Sequence, residues 1–522
     1  MQLKWKGLIS LLSGSILYAL SMPPISWWWA APVGLFLIFR CGLRSFWPYF
    51  AVGTLLHLCL YAWVIPVSAP GWIILAIVAA PLWSLPFFLY TRWPSRTGIA
   101  ALWVTVEGIR AFLGWGWLPL AASVTTCPLL LNWARLGGET LVGFILVYAA
   151  LFIASAGKTM ASCGGAHATS TPCPRLQGGE YIGGGAPIPP TGRTNAIAKY
   201  YRVPFLRAAG MALLIVSGGI LLGELPAHSS GKIEVGLVQP NAPTRETYTD
   251  EDNQQEAAVL HELSMNMHQA RPDLVFWPEE ALSWSPINTD TFLQLWTEAG
   301  AAALKTPIIT GALWHEETQY YNAVALVDPS SGLSPPPYKK RRLVPFGEYI
   351  PFAQFSWMRS LTPIVDSFAA GERAVILKAS TKSGSIRIWP LICYEDTFDS
   401  LSDHAGNKSD ILAVFINDGW FYPQAQSQHA AHSVLRAVEQ GIPLLRVSNS
   451  GLSGVVTPEG SSHYLPSDRR LGEIMEVPLR HIDTPYSHSG SWWRRGGVLL
   501  LICYAGTTLL SRVMLLAKKQ KT

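Results

Sequence analysis

The chain is short of charge. Of its 522 residues only 14% are Asp, Glu, Lys or Arg, against about 25% in ordinary soluble domains, while 49% are hydrophobic. That shortage excludes a wholly solvent-exposed globular chain and implies membrane-spanning segments. The net charge of +5 asks for no nucleic-acid partner, because most basic residues sit beside apolar runs. Cysteine is scarce too. The seven are Cys41, Cys59, Cys127, Cys163, Cys173, Cys393 and Cys503, and only Cys393 lies in the polar block between about 225 and 490. A thiol alone in that block has no disulfide partner within it. No CxxC spacing occurs, and Cys163 and Cys173 are assigned no metal. Nor does a small-x-small cleavage site follow the apolar run at 1–22 with its Lys4 and Lys6. That run therefore reads as an uncleaved span rather than a signal peptide.

Long apolar runs, by contrast, are abundant. After 1–22 they lie near 26–40, 46–65, 71–91, 98–114, 133–156 and 205–223, and one more near 496–516. Several are close to the lower length limit for crossing a bilayer. Trp27, Trp28, Trp29, Trp492 and Trp493 stand at run ends, as an interfacial aromatic belt would. With the N-terminus in the cytoplasm, eight crossings put Arg40, Arg44, Arg92 and Arg96 inside. The same count puts the loop 157–204 and the tail with Arg512, Lys518, Lys519 and Lys521 inside. The expected organisation is an N-terminal transmembrane bundle over 1–224, an extracytoplasmic domain over 225–490, and a C-terminal span with a basic tail over 491–522. The loop 157–204, rich in Gly, Pro, Ser and Thr, reads as a disordered cytoplasmic insertion. In the fifth span Glu107 and Arg110 stand at i,i+3, either as a structural ion pair or in contact with substrate.

The block 225–490 alternates strand and helix signals. Strand-like runs are 233–238, 274–277, 307–313, 323–327, 386–392, 411–416, 444–447 and 454–456. Helical stretches fall near 251–270, 290–304 and 425–441. This pattern argues an α/β domain with a covered sheet.

Three strand ends carry chemistry. The run Asp273-Leu-Val-Phe-Trp-Pro-Glu279-Glu280 turns a carboxylate out of a strand beside Trp277, whose apolar ring would favour a general base. The run Tyr338-Lys-Lys340-Arg-Arg-Leu-Val-Pro-Phe-Gly-Glu348-Tyr offers a lysine to an oxyanion. The run Arg387-Ile-Trp-Pro-Leu-Ile-Cys393-Tyr-Glu-Asp396 ends a strand in a thiol. Singly, these also read as an ordinary turn, a solvated basic face and a buried structural cysteine. Together they make a base, an oxyanion stabiliser and a nucleophile.

The order and local motifs resemble the nitrilase (carbon–nitrogen hydrolase) superfamily, and within it the membrane-embedded apolipoprotein N-acyltransferase family. The matching stretches include Val238-Gln-Pro-Asn241, Trp277-Pro-Glu279, Tyr320-Tyr-Asn322, Lys340 through Pro351, Ile392-Cys-Tyr-Glu395, Asn417-Asp-Gly-Trp-Phe421, Arg436-Ala-Val-Glu439, Pro443-Leu-Leu-Arg446 and Ser448-Asn-Ser-Gly451. Leu343-Val-Pro-Phe-Gly-Glu348 is the most family-specific of them. The resemblance implies a helical transmembrane bundle of about eight spans joined to an α-β-β-α sandwich. It implies Glu279 as general base, Lys340 as oxyanion lysine and Cys393 as nucleophile. Lys340 is preferred to Lys339 because it precedes the Arg and lies eight residues before Glu348. Glu348 matches a glutamate supporting the lysine, and Tyr394, Glu395 and Trp420 match positions lining the acyl or substrate pocket. Tyr248 departs from the pattern, since relatives often carry tryptophan there.

The implied reaction moves an acyl chain from a membrane phospholipid, through a cysteine thioester, to the N-terminal amine of a diacylated apolipoprotein. It needs no metal or redox cofactor. The implied location is a bacterial inner membrane, with the catalytic domain periplasmic and both termini cytoplasmic. The stretch 350–370, with Phe352, Phe355, Trp357 and Met358, is either a lid dipping to the lipid or a set of ordinary buried aromatics. Two other readings stay open: a membrane-tethered nitrilase-like amidase with the same triad, and a transporter or structural membrane protein with a degenerate domain.

Overall fold

A computed structural model describes residues 2–165, 190–243, 249–350, 368–421 and 423–519. Tyr248, the centre of the 157–204 insertion and nearly all of the 350–370 stretch lie outside them.

Helices form at each of the eight apolar runs. They are α1 (Gln2–Ser21), α2 (Ala30–Arg40), α3 (Trp47–Leu60), α4 (Ala69–Arg92), α5 (Arg96–Phe112), α6 (Ala134–Gly165), α7 (Pro190–Gly223) and, at the C-terminal end, a helix over Trp492–Lys519. Among the described residues, two are long and apolar enough to cross a membrane: α4, and the part of α6 over Ala134–Ser155. The α2 helix has 11 residues, a rise of only about 16 Å. It is short because Pro23 and Pro24 break the chain before it, and Gly42, at φ +66°, turns the chain after it. On α4, Ile73, Ile74, Ile77 and Val78 all point outward and are about half exposed. An exposed apolar stripe of that length suits lipid rather than water.

The polar block holds two six-stranded sheets. The strands are β1 (Ala227–Gln239), β2 (Leu274–Leu282), β3 (Ile308–Glu316), β4 (Gln319–Asp328), β5 (Gly332–Lys339), β6 (Leu377–Thr381), β7 (Gly384–Ile392), β8 (Ile411–Ile416), β9 (Leu444–Ser448), β10 (Gly454–Val456), β11 (Ser462–Tyr464) and β12 (Leu471–Ile482). Their orders are β12-β1-β2-β3-β4-β5 and β11-β10-β9-β8-β7-β6. Each sheet has three parallel strands, β1-β2-β3 or β7-β8-β9, with antiparallel strands on either side. The parallel strands need both faces covered, and the sequence obliges: Ile411–Ile416 is buried at every residue.

The sheets face each other through Val235, Leu237, Phe276, Ile309 and Val324 on one side and Ile388, Ala413, Phe415, Leu445 and Val447 on the other. Helices α8 (Asp250–Asn266) and α9 (Thr291–Leu304) cover the outer face of the first sheet. Helix α10 (Pro423–Gln440) covers the second. This is the expected α-β-β-α order. The last helix, Trp492–Lys519, is α11.

The outer side of α10 is not open. Leu35, Trp117, Val142 and Leu146 of the helical part share one apolar core with Leu391, Leu412, Leu435 and Val438. An ion network crosses the same boundary. Arg436 on α10 reaches Glu139 on α6 at 2.7 Å and Glu439 at 2.9 Å. Arg494 on α11 reaches Asp399 at 2.6 Å and Glu139 at 3.3 Å. The α6 chain kinks here at Gly138, φ +65°, where an added Cβ would strike the Tyr486 ring. Glu107 and Arg110 form no ion pair with each other among the described residues. Glu107 accepts the Leu120 amide at 2.7 Å, and Arg110 donates to the Trp117 carbonyl at 2.6 Å. Both hold the 113–124 connection, which docks on the double-sheet domain through Trp117 and Leu118.

Candidate active site

Each triad residue sits where a strand stops being regular. Pairing of β2 with β3 is interrupted between Trp277 and Leu282. Glu279 falls in that break, followed by Glu280 at φ +57°. An irregularity of this kind re-aims a side chain. Lys340 follows the last residue of β5, and its amide still donates to Asn322 of β4 at 2.8 Å. Cys393 follows β7 with φ +48°, in the left-handed region that non-glycine residues avoid. Such strain persists where surrounding structure holds it, and it clusters at functional sites.

The structure brings Glu279, Lys340 and Glu348 into one buried cluster. The Lys340 Nζ lies 2.9 Å from Glu279 Oε1 and 2.9 Å from Glu348 Oε1. Lys340 is 1% exposed. Asn322 donates its Nδ2 to the same two oxygens, at 2.9 and 3.0 Å. The other oxygen of Glu348 accepts the Val344 amide at 2.8 Å. Glu348 therefore fixes the lysine and the Val344-Pro-Phe-Gly turn together. Lys339 points elsewhere, pairing with Glu316.

Burial alone would lower the pKa of Lys340. The facing Glu279 and Glu348 carboxylates outweigh it, and its pKa stands well above the usual lysine value. Burial, and then the negative charge of Glu279, push the Cys393 thiol well above the usual cysteine range, with Lys340 opposing. The resting site thus holds a protonated thiol and a lysine ammonium. Thiolate forms only as that proton leaves.

The supporting residues divide. Trp420 is exposed over 41% of its surface. With Glu279, Glu280, Asn417 and Asn449 it lines a cavity of about 150 Å³. Tyr394 donates its hydroxyl to the Gly114 carbonyl at 2.6 Å, so it clamps the Cys393 turn to the 113–124 connection. Glu395 is fully buried. It accepts the Tyr338 hydroxyl at 2.6 Å, the Ile392 amide at 2.8 Å and the Arg341 amide at 2.6 Å. It braces the Cys393 turn against the Lys340 segment instead of lining a pocket. Two participants were not singled out from the sequence. Asn322 was visible only as the end of Tyr320-Tyr-Asn322. Glu280 joins the cavity, and burial followed by the charges of Glu279 and Glu348 raises its pKa to about 7.

Residues 14–152 match the model of the apolipoprotein N-acyltransferase N-terminal domain. Residues 234–468 match the model of carbon-nitrogen hydrolase. An apolipoprotein N-acyltransferase of Azotobacter vinelandii is 27% identical over 546 residues, covering 96% of this chain and 95% of its own. Over nearly its whole length the chain is similar to apolipoprotein N-acyltransferases. Another, from Pseudomonas syringae, is 25% identical over 98% of both chains. Among solved structures, a CN-hydrolase superfamily protein of Xanthomonas campestris covers 47% of this chain and 90% of its own. Its identity is 19% and its TM-score 0.36. The chain is an acyltransferase that acts in lipoprotein N-acylation.

Proposed function

We propose that Cys393 carries the acyl chain between a membrane phospholipid and the N-terminal amine of a diacylated apolipoprotein, with Glu279 and Lys340 as its partners. The observation that carries this reading is the Lys340 ammonium held 2.9 Å from both Glu279 and Glu348, beside a cysteine in a left-handed turn. In the first half-reaction Glu279 takes the Sγ proton. The sulfur attacks the ester carbonyl of the phospholipid, and Lys340 meets the oxyanion. The ester C–O bond breaks, the lysophospholipid leaves with the proton returned by Glu279, and a thioester remains. In the second half-reaction the α-amine attacks the thioester. Glu279 accepts its proton, the C–S bond breaks, the amide forms and the thiol is restored. Asn322 and Glu348 keep base and lysine in register throughout, and Trp420 forms one wall of the entry.

Both substrates are lipids, which gives a reason for the shared core between α10 and the membrane helices. The proposed arrangement is eight spans, in segments 1–224 and 491–522, around a periplasmic catalytic domain over 225–490. The lipid-facing stripe on α4 and the basic loops support it. Reporter fusions at residues 95 and 300 test it: the first should report cytoplasm, the second periplasm. For the chemistry, the protein is incubated with phospholipid vesicles and weighed intact. The reading requires an acyl-sized gain that hydroxylamine removes and Cys393→Ala abolishes. Release of free acid and ammonia from a soluble amide, with no such gain, would point to the tethered amidase.

A further inference from the structure

Beneath the Cys393 turn lies a closed set of charges that the triad does not use. His429 projects from α10 and is 1% exposed. Its Nδ1 is 2.9 Å from Asp418 Oδ1, in the turn after β8. Its Nε2 is 3.2 Å from the Cys393 carbonyl oxygen and 2.9 Å from Asp396 Oδ1, in the turn after β7. Both ring nitrogens face acceptors, and an imidazole donates from both only when it is protonated. Arg446 of β9 completes the set, with Nη1 3.3 Å from Asp396 Oδ2 and Nη2 3.7 Å from Asp418 Oδ2. The Ser433 hydroxyl also donates to Asp396 Oδ2, at 2.5 Å. Two buried carboxylates therefore meet two cations only if His429 keeps its proton.

The set touches the nucleophile twice. His429 holds the Cys393 carbonyl, and Asp418 follows Asn417, whose backbone N–H favours the Cys393 thiolate. One ligand atom each of Cys393, Asp418 and His429 lie within 4.8 Å of one another. We propose that His429, as a buried imidazolium, is the positioning residue of the nucleophile. Its ring fixes the left-handed Cys393 peptide and, through Asp418, the Asn417 amide that faces the sulfur. Its charge cancels that of Asp418 beside the developing thiolate.

The surroundings agree. Burial works against the imidazolium, but Asp396 and Asp418 outweigh it and raise its pKa to about 10. Burial likewise works against the Asp396 carboxylate, yet His429 and then Arg446 hold its pKa down at about 2. His432, one turn along α10, is kept neutral by burial, with a pKa near 3, and accepts the Leu118 amide at 3.3 Å. The Trp117 ring closes the remaining side, 5.3 Å from the His429 ring. The charges of Glu279 and Lys340 also act on the thiol, the first raising and the second lowering its pKa.

The inference rests on Cys393 being the nucleophile, and not on which acyl donor it meets. Its test therefore reads the thiol directly. The full-length protein in lipid nanodiscs is alkylated with iodoacetamide at pH 7.5, and modification of Cys393 is followed by peptide mapping. Losing a unit charge within 4.8 Å should slow alkylation on the order of 100-fold at an effective dielectric constant of about 20. His429→Gln should show that loss. Adding Asp418→Asn restores the charge balance and should recover at least about tenfold. A rate for His429→Gln within threefold of the parent would overturn the proposal. So would a double variant no faster than the single, because a merely structural role predicts further damage. If His429→Gln does not accumulate, Asp418→Asn alone decides. It should alkylate at least as fast as the parent, and a tenfold slower rate would overturn the proposal.

Discussion

Replacing Arg436 by Met should unseat the catalytic domain from the membrane helices. Arg436 is fully buried, 2.7 Å from Glu139 of α6 and 2.9 Å from Glu439 of its own helix. Beyond them stand Asp399 and Arg494, 2.6 Å apart. Without Arg436, three carboxylates share one arginine in a site closed to water. Removing one partner of a buried ion pair costs about 3–5 kcal/mol, because the charge left behind is uncompensated. For a domain of this size each kcal/mol moves the midpoint by about 2–4 °C, so a fall of roughly 6 °C or more is expected. Glu439 already has its pKa pushed well above the usual carboxyl value by burial, against the pull of Arg436. Losing Arg436 pushes it higher. A carboxyl whose folded pKa is raised binds its proton more tightly in the folded state, so stability is lost as pH rises past the unfolded value. The variant should therefore suffer more at pH 8 than at pH 5, and Glu439→Gln added to it should recover part of the midpoint. Thermal unfolding in detergent, followed by tryptophan fluorescence, measures all three. A midpoint within about 1 °C of the parent at pH 8 would refute the reasoning.

Other outcomes follow from the site. Lys340→Met should leave the thiol in place but slow thioester formation by about 10²–10³-fold, the scale of a lost oxyanion donor; stopped-time intact-mass analysis reads it. Glu280→Gln should remove an inflection near pH 7 from the acylation profile. In the parent, ionisation of Glu280 near that pH adds negative charge beside Glu279 and opposes the thiolate, so the parent's rate should climb less steeply above pH 7 than the variant's. His429 has a folded pKa of about 10 against an unfolded value near 6.5. Its contribution is complete below the lower value and is lost as pH rises through the higher one. Unfolding midpoints should fall between pH 7 and 10 in the parent and fall less in His429→Gln.

The sequence made some of this legible and concealed the rest for physical reasons. All eight strand-like runs became strands, and the helical stretches near 251–270, 290–304 and 425–441 became α8, α9 and α10. The four strands missed, β5, β6, β11 and β12, are the four sheet edges. Edge strands are covered less, so they carry weaker apolar patterns, and they tolerate proline. Gly332–Lys339 holds three prolines in a row. Glu279 and Cys393 were legible as candidates because each ends an apolar run, and Lys340 because its chemistry is kept in the local sequence. The His429 set was not, because Asp396, Asp418 and Arg446 come from three strands and meet only when β7, β8 and β9 pair. Glu107 and Arg110 looked like partners because helical spacing puts them on one face. Each instead satisfies backbone of the 113–124 connection, whose path no local pattern announces.

The most direct measurement is intact-mass analysis of the purified protein after incubation with phospholipid vesicles. The account predicts a hydroxylamine-sensitive acyl adduct that maps to Cys393 and disappears when a diacylated lipopeptide with a free N-terminal amine is added. An adduct that persists in Cys393→Ala, or none at all under conditions where the lipopeptide is nevertheless acylated, would contradict it.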